Sequence, residues 1–241
     1  MKVASMIDQH LPVPHGNRQG LSYGELAVLL LTYIVSEADH RMCCVEKWVC
    51  EHHISLEKIT GWKIAKKEAT DDRCGDLLKT MGQPERISEM SISISKYLVK
   101  AYELPTEKGR SDTTSFSVYH QISEREEKSS LIQFGYSKKR RPDLRQYRQM
   151  LATLDPLGMP LLGATLAGNG TDESEYVPTW RKMTEIIGHR EFLYLADSKA
   201  STWENRSQIH EEGGIYYFPL AMSQLRQKLL ADWVNNQGKR I

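Results

Sequence analysis

The amino-acid sequence predicts an α/β protein in which a mixed-sheet domain over 106–241 follows a wholly helical segment over 1–105. Three observations carry the prediction. Before Pro105 the apolar residues recur every three or four positions, the spacing of one helix face. Beyond Gly109 they alternate with polar residues or form short apolar runs, and these strand-like segments are interleaved with helical ones. Two aspartates, Asp112 and Asp197, stand at the ends of two such runs, although aspartate is a poor strand former.

The helical elements follow from local signals. Ser22 with Glu25 three residues on forms a capping box, and Leu26, Leu29, Leu30, Tyr33 and Ile34 then mark the buried stripe of a helix over 23–36. Val45, Trp48 and Val49 predict a second helix over 40–53, and Asp71 or Asp72 opens a third that carries Leu77 and Leu78. The break at Gly82-Gln-Pro84 starts a fourth, which ends near Pro105.

Strands are expected at 111–119, 130–136 and 158–167, the last closed by the Gly168-Asn-Gly170 turn. Tyr176, Trp180, Met183 and Ile187 mark a helix in which Pro178 is tolerated because the first turn lacks internal hydrogen-bond partners. A fourth strand at 192–196, a short helix at 203–211, a strand at 215–218 and a helix at 222–235 complete the chain. Three strands, helix, strand, helix, strand, helix is the order of a ribonuclease-H-like domain. That topology places Asp112 on the central strand and Asp197 just beyond its neighbour.

Composition narrows the function classes. At 40% hydrophobic and 26% charged, 241 residues describe a globular chain with room for one large domain or two small ones. The longest apolar stretch, Leu26 to Val35, falls well short of the roughly 20 residues that span a bilayer, and the N-terminus lacks the apolar core of a signal peptide. Cys43, Cys44, Cys50 and Cys74 show no disulfide-framework spacing, which fits a reducing cytosol. A net charge of +1 leaves nucleic-acid contact to local clusters. One such cluster is Lys138, Lys139, Arg140, Arg141, Arg145 and Arg148, opposed nearby only by Asp143, in a loop expected to meet DNA phosphates.

On spacing alone the two aspartates have two readings: strand-end markers, or paired oxygen ligands for a hard divalent cation. Other constellations are weaker. His40, Cys43, Cys44, Cys50, His52 and His53 lack paired C-x-x-C spacing and fall along one amphipathic helix. Gly163, Gly168 and Gly170 are not followed by Gly-Lys-Ser/Thr, so no phosphate-binding loop is read there. Ser111, Ser115 and Ser117 have His120 as their one nearby histidine and no nucleophile-elbow sequence.

Several ordered motifs carry a family resemblance. Ser111-Asp-Thr-Thr-Ser-Phe-Ser-Val-Tyr-His120, Phe134-Gly-Tyr-Ser-Lys138, Pro142-Asp-Leu-Arg-Gln146, Leu154-Asp-Pro-Leu-Gly-Met-Pro160, Ala167-Gly-Asn169 and Tyr216-Tyr-Phe-Pro-Leu220 occur in sequence. Together they resemble the DDE transposases of bacterial insertion sequences, in the group similar to insertion sequence four. Gly20-Leu-Ser-Tyr-Gly24, Glu37-Ala-Asp-His-Arg41 and Thr70-Asp-Asp-Arg73 look like that family's N-terminal accessory domain, so the resemblance covers nearly the whole chain.

The resemblance implies DNA transposition by metal-dependent strand cleavage and transfer. In such enzymes three carboxylates hold two Mg²⁺ (or Mn²⁺) ions around in-line attack on phosphodiesters. Asp112 matches the first acid and Asp197 the second. The third, a glutamate in a Tyr, Arg, Glu, Lys signature, has no counterpart before Ile241; Asp232, Glu204 and Glu211 are the nearest acids and read as surface residues. The expectation is therefore a truncated, catalytically incomplete transposase copy. The alternatives are a regulatory DNA-binding fragment and a stand-alone metal-dependent nuclease. Expected partners are the DNA ends of the insertion sequence, full-length transposase or another copy of the chain.

Overall fold

A computed structural model describes residues 2–13, 20–119, 130–136, 140–221 and 231. Its contacts divide the chain into two units, 1–94 and 95–241, with the division falling inside one helix.

The first unit is helical: α1 (Val3–Asp8), α2 (Tyr23–Glu37), α3 (Met42–Thr60), α4 (Asp71–Met81) and the start of α5 (Pro84–Ala101). The capping box expected at Ser22 is formed, with the Ser22 side chain accepting from the Glu25 amide and the Glu25 carboxylate accepting from the Ser22 amide. α3 runs seven residues further than its apolar stripe predicts and ends on Gly61, whose φ of 76° supplies the left-handed cap. Leu29, Tyr33, Val45, Val49 and Leu77 are buried together as the core. α1 is an addition to the expected elements; it is tied to α2 through Asp8, whose carboxylate accepts from Ser22 Oγ and the Gly24 amide.

The second unit is built on a five-stranded sheet: β1 (Lys108–Val118), β2 (Arg145–Leu154), β3 (Met159–Ala167), β4 (Leu193–Leu195) and β5 (Ile215–Tyr217). The order across the sheet is β3-β2-β1-β4-β5. β1 is antiparallel to β2 and β2 to β3, whereas β4 is parallel to β1 and β5 to β4. This is the ribonuclease-H-like arrangement expected from the element order. The crossover helices are α6 (Tyr176–Ile187) and α7 (Trp203–Glu211). Apart from Ala231, which is helical, the helix expected at 222–235 lies outside the described residues, as does His120.

The second strand is a correction. Residues 130–136 contribute only an isolated bridge, Gln133 to Gln146, and the strand itself is 145–154. Its alternation was obscured because two inward positions are polar: Gln146 and Arg148 share a face with Met150, Ala152 and Leu154, and all five are buried. The basic run therefore leads into β2 and continues onto it.

One face of the sheet holds the core. Ser111 and Thr113 of β1, Met150 and Ala152 of β2 and Tyr194 of β4 point toward Tyr176, Trp180 and Met183 of α6 and Ile209 of α7, all buried. The opposite face, with Asp112, Thr114 and Phe116 of β1 and Leu151 of β2, is exposed. Gly168, after β3, lies against the backbone of β2, where a Cβ would collide with the Gln146 carbonyl.

Gly168→Ala is therefore expected to lower the stability of this unit by about 1–3 kcal/mol through overpacking. Gly75→Ala, inside α4 where a Cβ meets open space, is expected to raise stability by about 0.5–1 kcal/mol. Urea denaturation of the two variants against wild type reads both signs.

Candidate functional site

The parallel β1–β4 ladder leads to both aspartates. β1 and β4 run parallel with Lys108 opposite Leu193, Gly109 opposite Tyr194 and Arg110 opposite Leu195. The ladder ends there, two residues before Asp112 and two before Asp197. Asp112 is the fifth of the eleven residues of β1, and Asp197 follows β4 as the cap of a 3₁₀ turn.

Each carboxylate is oriented through one oxygen. Asp112 Oδ1 accepts the Thr113 amide at 2.7 Å. Asp197 caps the 3₁₀ turn Ser198–Ser201, where its Oδ1 accepts the Lys199 amide at 3.0 Å. The same Oδ1 accepts the Tyr176 hydroxyl at 2.6 Å. Among the described residues the Oδ2 atoms of both aspartates have no hydrogen-bond partner, and both residues are exposed. The two oxygens fit a hard cation such as Mg²⁺ or Mn²⁺, which takes one or two carboxylates and keeps waters. Among the described residues no group of three His, Cys, Asp or Glu could hold a metal ion. Asp232 lies outside the described residues.

Tyr176 ties the site to the core. Its ring is fully buried at the start of α6. Burial raises its phenol far above the ordinary value, and the bond to Asp197 and the charges of Asp197, Asp172 and Asp112 raise it further, so it stays a neutral donor. Behind it, Tyr194 donates to the Tyr176 carbonyl at 3.2 Å and shares a 2.5 Å hydrogen bond with Ser111 Oγ. Ser111 is thus engaged in the core under the site.

Asp172 anchors the other side. Buried at 3% exposure, it accepts from Arg148 Nη1 at 2.9 Å and from Lys199 Nζ at 3.1 Å. Burial alone would lower the Lys199 ammonium, but the Asp172 bond and charge outweigh it and the net shift is upward. Lys199 thereby links Asp172 to the turn that Asp197 caps. A cavity of about 190 Å³, lined by Ser115, Gln146, Arg148, Asp172 and Lys199 among others, opens beside this cluster.

The expected basic surface is altered. Arg148 is buried, with Nε donating to the Ala167 carbonyl and Nη1 to the Thr171 carbonyl as well as to Asp172, so its charge is directed into the fold rather than toward phosphate. The physical reason is its inward position on β2, opposite Ser115. Arg141 forms a bidentate pair with Asp143, Arg145 lies 4.8 Å over the Phe134 ring and Arg140 is exposed. Lys138 and Lys139 lie outside the described residues. Glu204 and Glu211 sit on α7, and both are exposed. His52 and His53 bond to the carbonyls of Trp48 and Cys50 within α3.

Sequence reasoning missed Tyr176, Asp172 and Lys199 as parts of this site. The available signals were local: Asp172 follows the Gly168-Asn-Gly170 turn, and Lys199 stands two residues past Asp197, where an aspartate cap presents its amide.

No protein-family model matches the chain, and no curated protein matches it in sequence. Among solved structures, the Mos1 transposase paired-end complex with the left transposon end is similar at 10% identity and a TM-score of 0.31, over 83% of this chain and 60% of that one. The Mos1 strand transfer complex is similar at 10% identity and 0.31, over 86% and 61%. The piggyBac transposase synaptic complex with hairpin DNA is similar at 9% identity and 0.38, over 94% and 50%. The chain therefore spans 50–61% of the length of these neighbours. At such scores the fold assignment rests on the sheet order.

Two substitutions test the arrangement. Asp172→Ala removes the nearer carboxylate from the buried Arg148 guanidinium, leaving Glu175 at 3.8 Å, and is expected to cost about 3 kcal/mol in urea denaturation, whereas Arg141→Ala removes an exposed pair with Asp143 and should cost under about 1 kcal/mol. Tyr176→Phe removes a donor that orients Asp197, and Mn²⁺ affinity read by electron paramagnetic resonance is expected to fall about tenfold with the fold retained.

Proposed function

We propose that this chain is a DDE-type transposase of the bacterial insertion-sequence kind, acting on the DNA ends of its element, and that it supplies two of the three acids of a metal-dependent strand-cleaving site. The observation that supports the reading is the parallel β1–β4 ladder of a ribonuclease-H-like sheet, which ends two residues before Asp112 on one strand and two before Asp197 on the other. The ordered motifs from Ser111 to Leu220 add to it.

Asp112 and Asp197 would hold the Mg²⁺ or Mn²⁺, each presenting Oδ2 while its Oδ1 is fixed by donors. Bound there, a divalent cation supplies Lewis-acid stabilisation of the entering and leaving oxygens of an in-line phosphoryl displacement. Tyr176 and the Lys199 amide keep the Asp197 carboxylate in one orientation. The chain would act in the bacterial cytoplasm. The third acid is proposed to come from outside the described residues, or from another copy or a full-length transposase in a mixed complex. Arg140, Arg141 and Arg145, with Lys138 and Lys139, would neutralise phosphates along the bound DNA.

A nicking assay with Mg²⁺ or Mn²⁺ on DNA carrying the element's ends tests the reading. Cleavage by the chain, alone or mixed with a full-length transposase, is expected to drop at least 100-fold in Asp112→Ala and in Asp197→Ala. Cleavage unaffected by either substitution contradicts it. Salt-sensitive binding without cleavage in either setting would instead assign the chain a regulatory, DNA-binding role.

A further inference from the structure

The exposed face of the sheet carries more than Asp112. Register pairs Asp112 with Leu151, Thr114 with Gln149 and Phe116 with Tyr147, so these six side chains form three rungs on one face. The third rung is an aromatic pair: the Phe116 and Tyr147 rings stack with centroids 5.3 Å apart and planes 16° from parallel. Phe116 is 43% exposed. Beyond it on the same face Arg145 lies over Phe134, which is 53% exposed. The middle rung is polar, with Thr165 Oγ1 donating to Gln149 Oε1 at 3.0 Å.

We propose that this face is a stacking platform for unpaired bases of the DNA strand whose phosphate lies at Asp112. The inference rests on the transposase reading and adds the form of the substrate to it. Flat aromatic rings held parallel on an open sheet offer π surface to any base, and an adjacent guanidinium meets the backbone phosphate; together they are the elements of single-strand recognition. Paired bases within a duplex have no free faces to present. The spacing fits one bound strand: Phe116 is four residues along β1 from Asp112, about 13 Å. Gln149, Thr114 and Thr165 between them offer hydrogen-bonding groups to base edges. The positive charge lies at the aromatic end, where Arg145 follows Arg140 and Arg141 in the chain, and the carboxylate lies at the end assigned to the metal.

The test uses the full chain and a single-stranded oligonucleotide containing 2-aminopurine, with the same oligonucleotide in duplex form, in the absence of metal. Binding is expected to quench 2-aminopurine in the single strand. Phe116→Leu and Tyr147→Leu keep apolar bulk but remove the π face, and each is expected to weaken single-strand binding about tenfold or more while duplex binding holds; Phe116→Trp should retain the quenching. Unchanged quenching in both leucine variants overturns the platform. Equal loss of single-strand and duplex binding also overturns it, by assigning the pair to packing against another part of a protein. The outcomes separate from those of the transposase reading: Asp112-dependent nicking with unaltered quenching leaves that reading standing and removes the platform. Quenching lost in the leucine variants, without nicking by the chain alone or with a full-length transposase, leaves a single-strand site standing and removes the strand-cleaving reading.

Discussion

The parallel pairing of β1 with β4 is the constraint on which the arrangement around the two aspartates depends. Three rungs of that ladder, from Lys108–Leu193 to Arg110–Leu195, determine where the chain stands when it leaves β4. A slip of one residue in β4 would exchange buried Tyr194 with its partly exposed neighbours and put Asp197 out of step with Asp112. The core resists that slip. Tyr194 is fully buried, edge-on to Phe192 and Phe218, and hydrogen-bonded to Ser111 and to the Tyr176 carbonyl. Packing beneath the sheet thus sets the position of the carboxylates.

Polar groups inside the fold then orient what the strands place. Arg148, Asp172 and Lys199 form a buried or half-buried chain of charges that fixes the 168–172 turn against the start of the 3₁₀ segment. Such a network adds little net stability over an apolar packing of the same volume, but removing one member leaves an uncompensated charge. Its effect here is positional. It holds the Lys199 amide and the Tyr176 phenol where both donate to the same oxygen of Asp197, leaving the other toward solvent. Preorganisation of a ligand by donors behind it is what a metal site requires of its surroundings.

Much of this was legible in the sequence because the signals were local. The capping box at Ser22, the apolar stripes of α2 and α6, the turn at Gly168-Asn-Gly170 and the short apolar runs of β4 and β5 each fix an element with few residues. Asp112 and Asp197 stood out because aspartate is a poor strand former, but the start of β1 was not legible: Lys108 to Ser111 precede Asp112 in the strand, so it lies inside the strand and not at its end. β2 was not legible: its alternation holds, but Gln146 and Arg148 occupy inward positions, and their partners at 167–172 are distant in sequence. Periodicity counts a buried arginine as a break, whereas tertiary hydrogen bonding makes it part of the core. The same distance in sequence hid Tyr176, which reads as a plain apolar helix position until its hydroxyl is seen on Asp197.

The most direct measurement of the central claim, that the β1–β4 register makes one cation site from two distant aspartates, is iron-mediated hydroxyl-radical cleavage of the protein backbone. With Fe²⁺ in place of Mg²⁺ and ascorbate present, fragments mapped by mass spectrometry should show paired cuts next to Asp112 and Asp197, both suppressed by excess Mg²⁺ and both lost when either aspartate is replaced by alanine. Cuts at only one of the two positions, or cuts that persist at one when the other is removed, would show that the strands do not bring the two carboxylates to a shared ion.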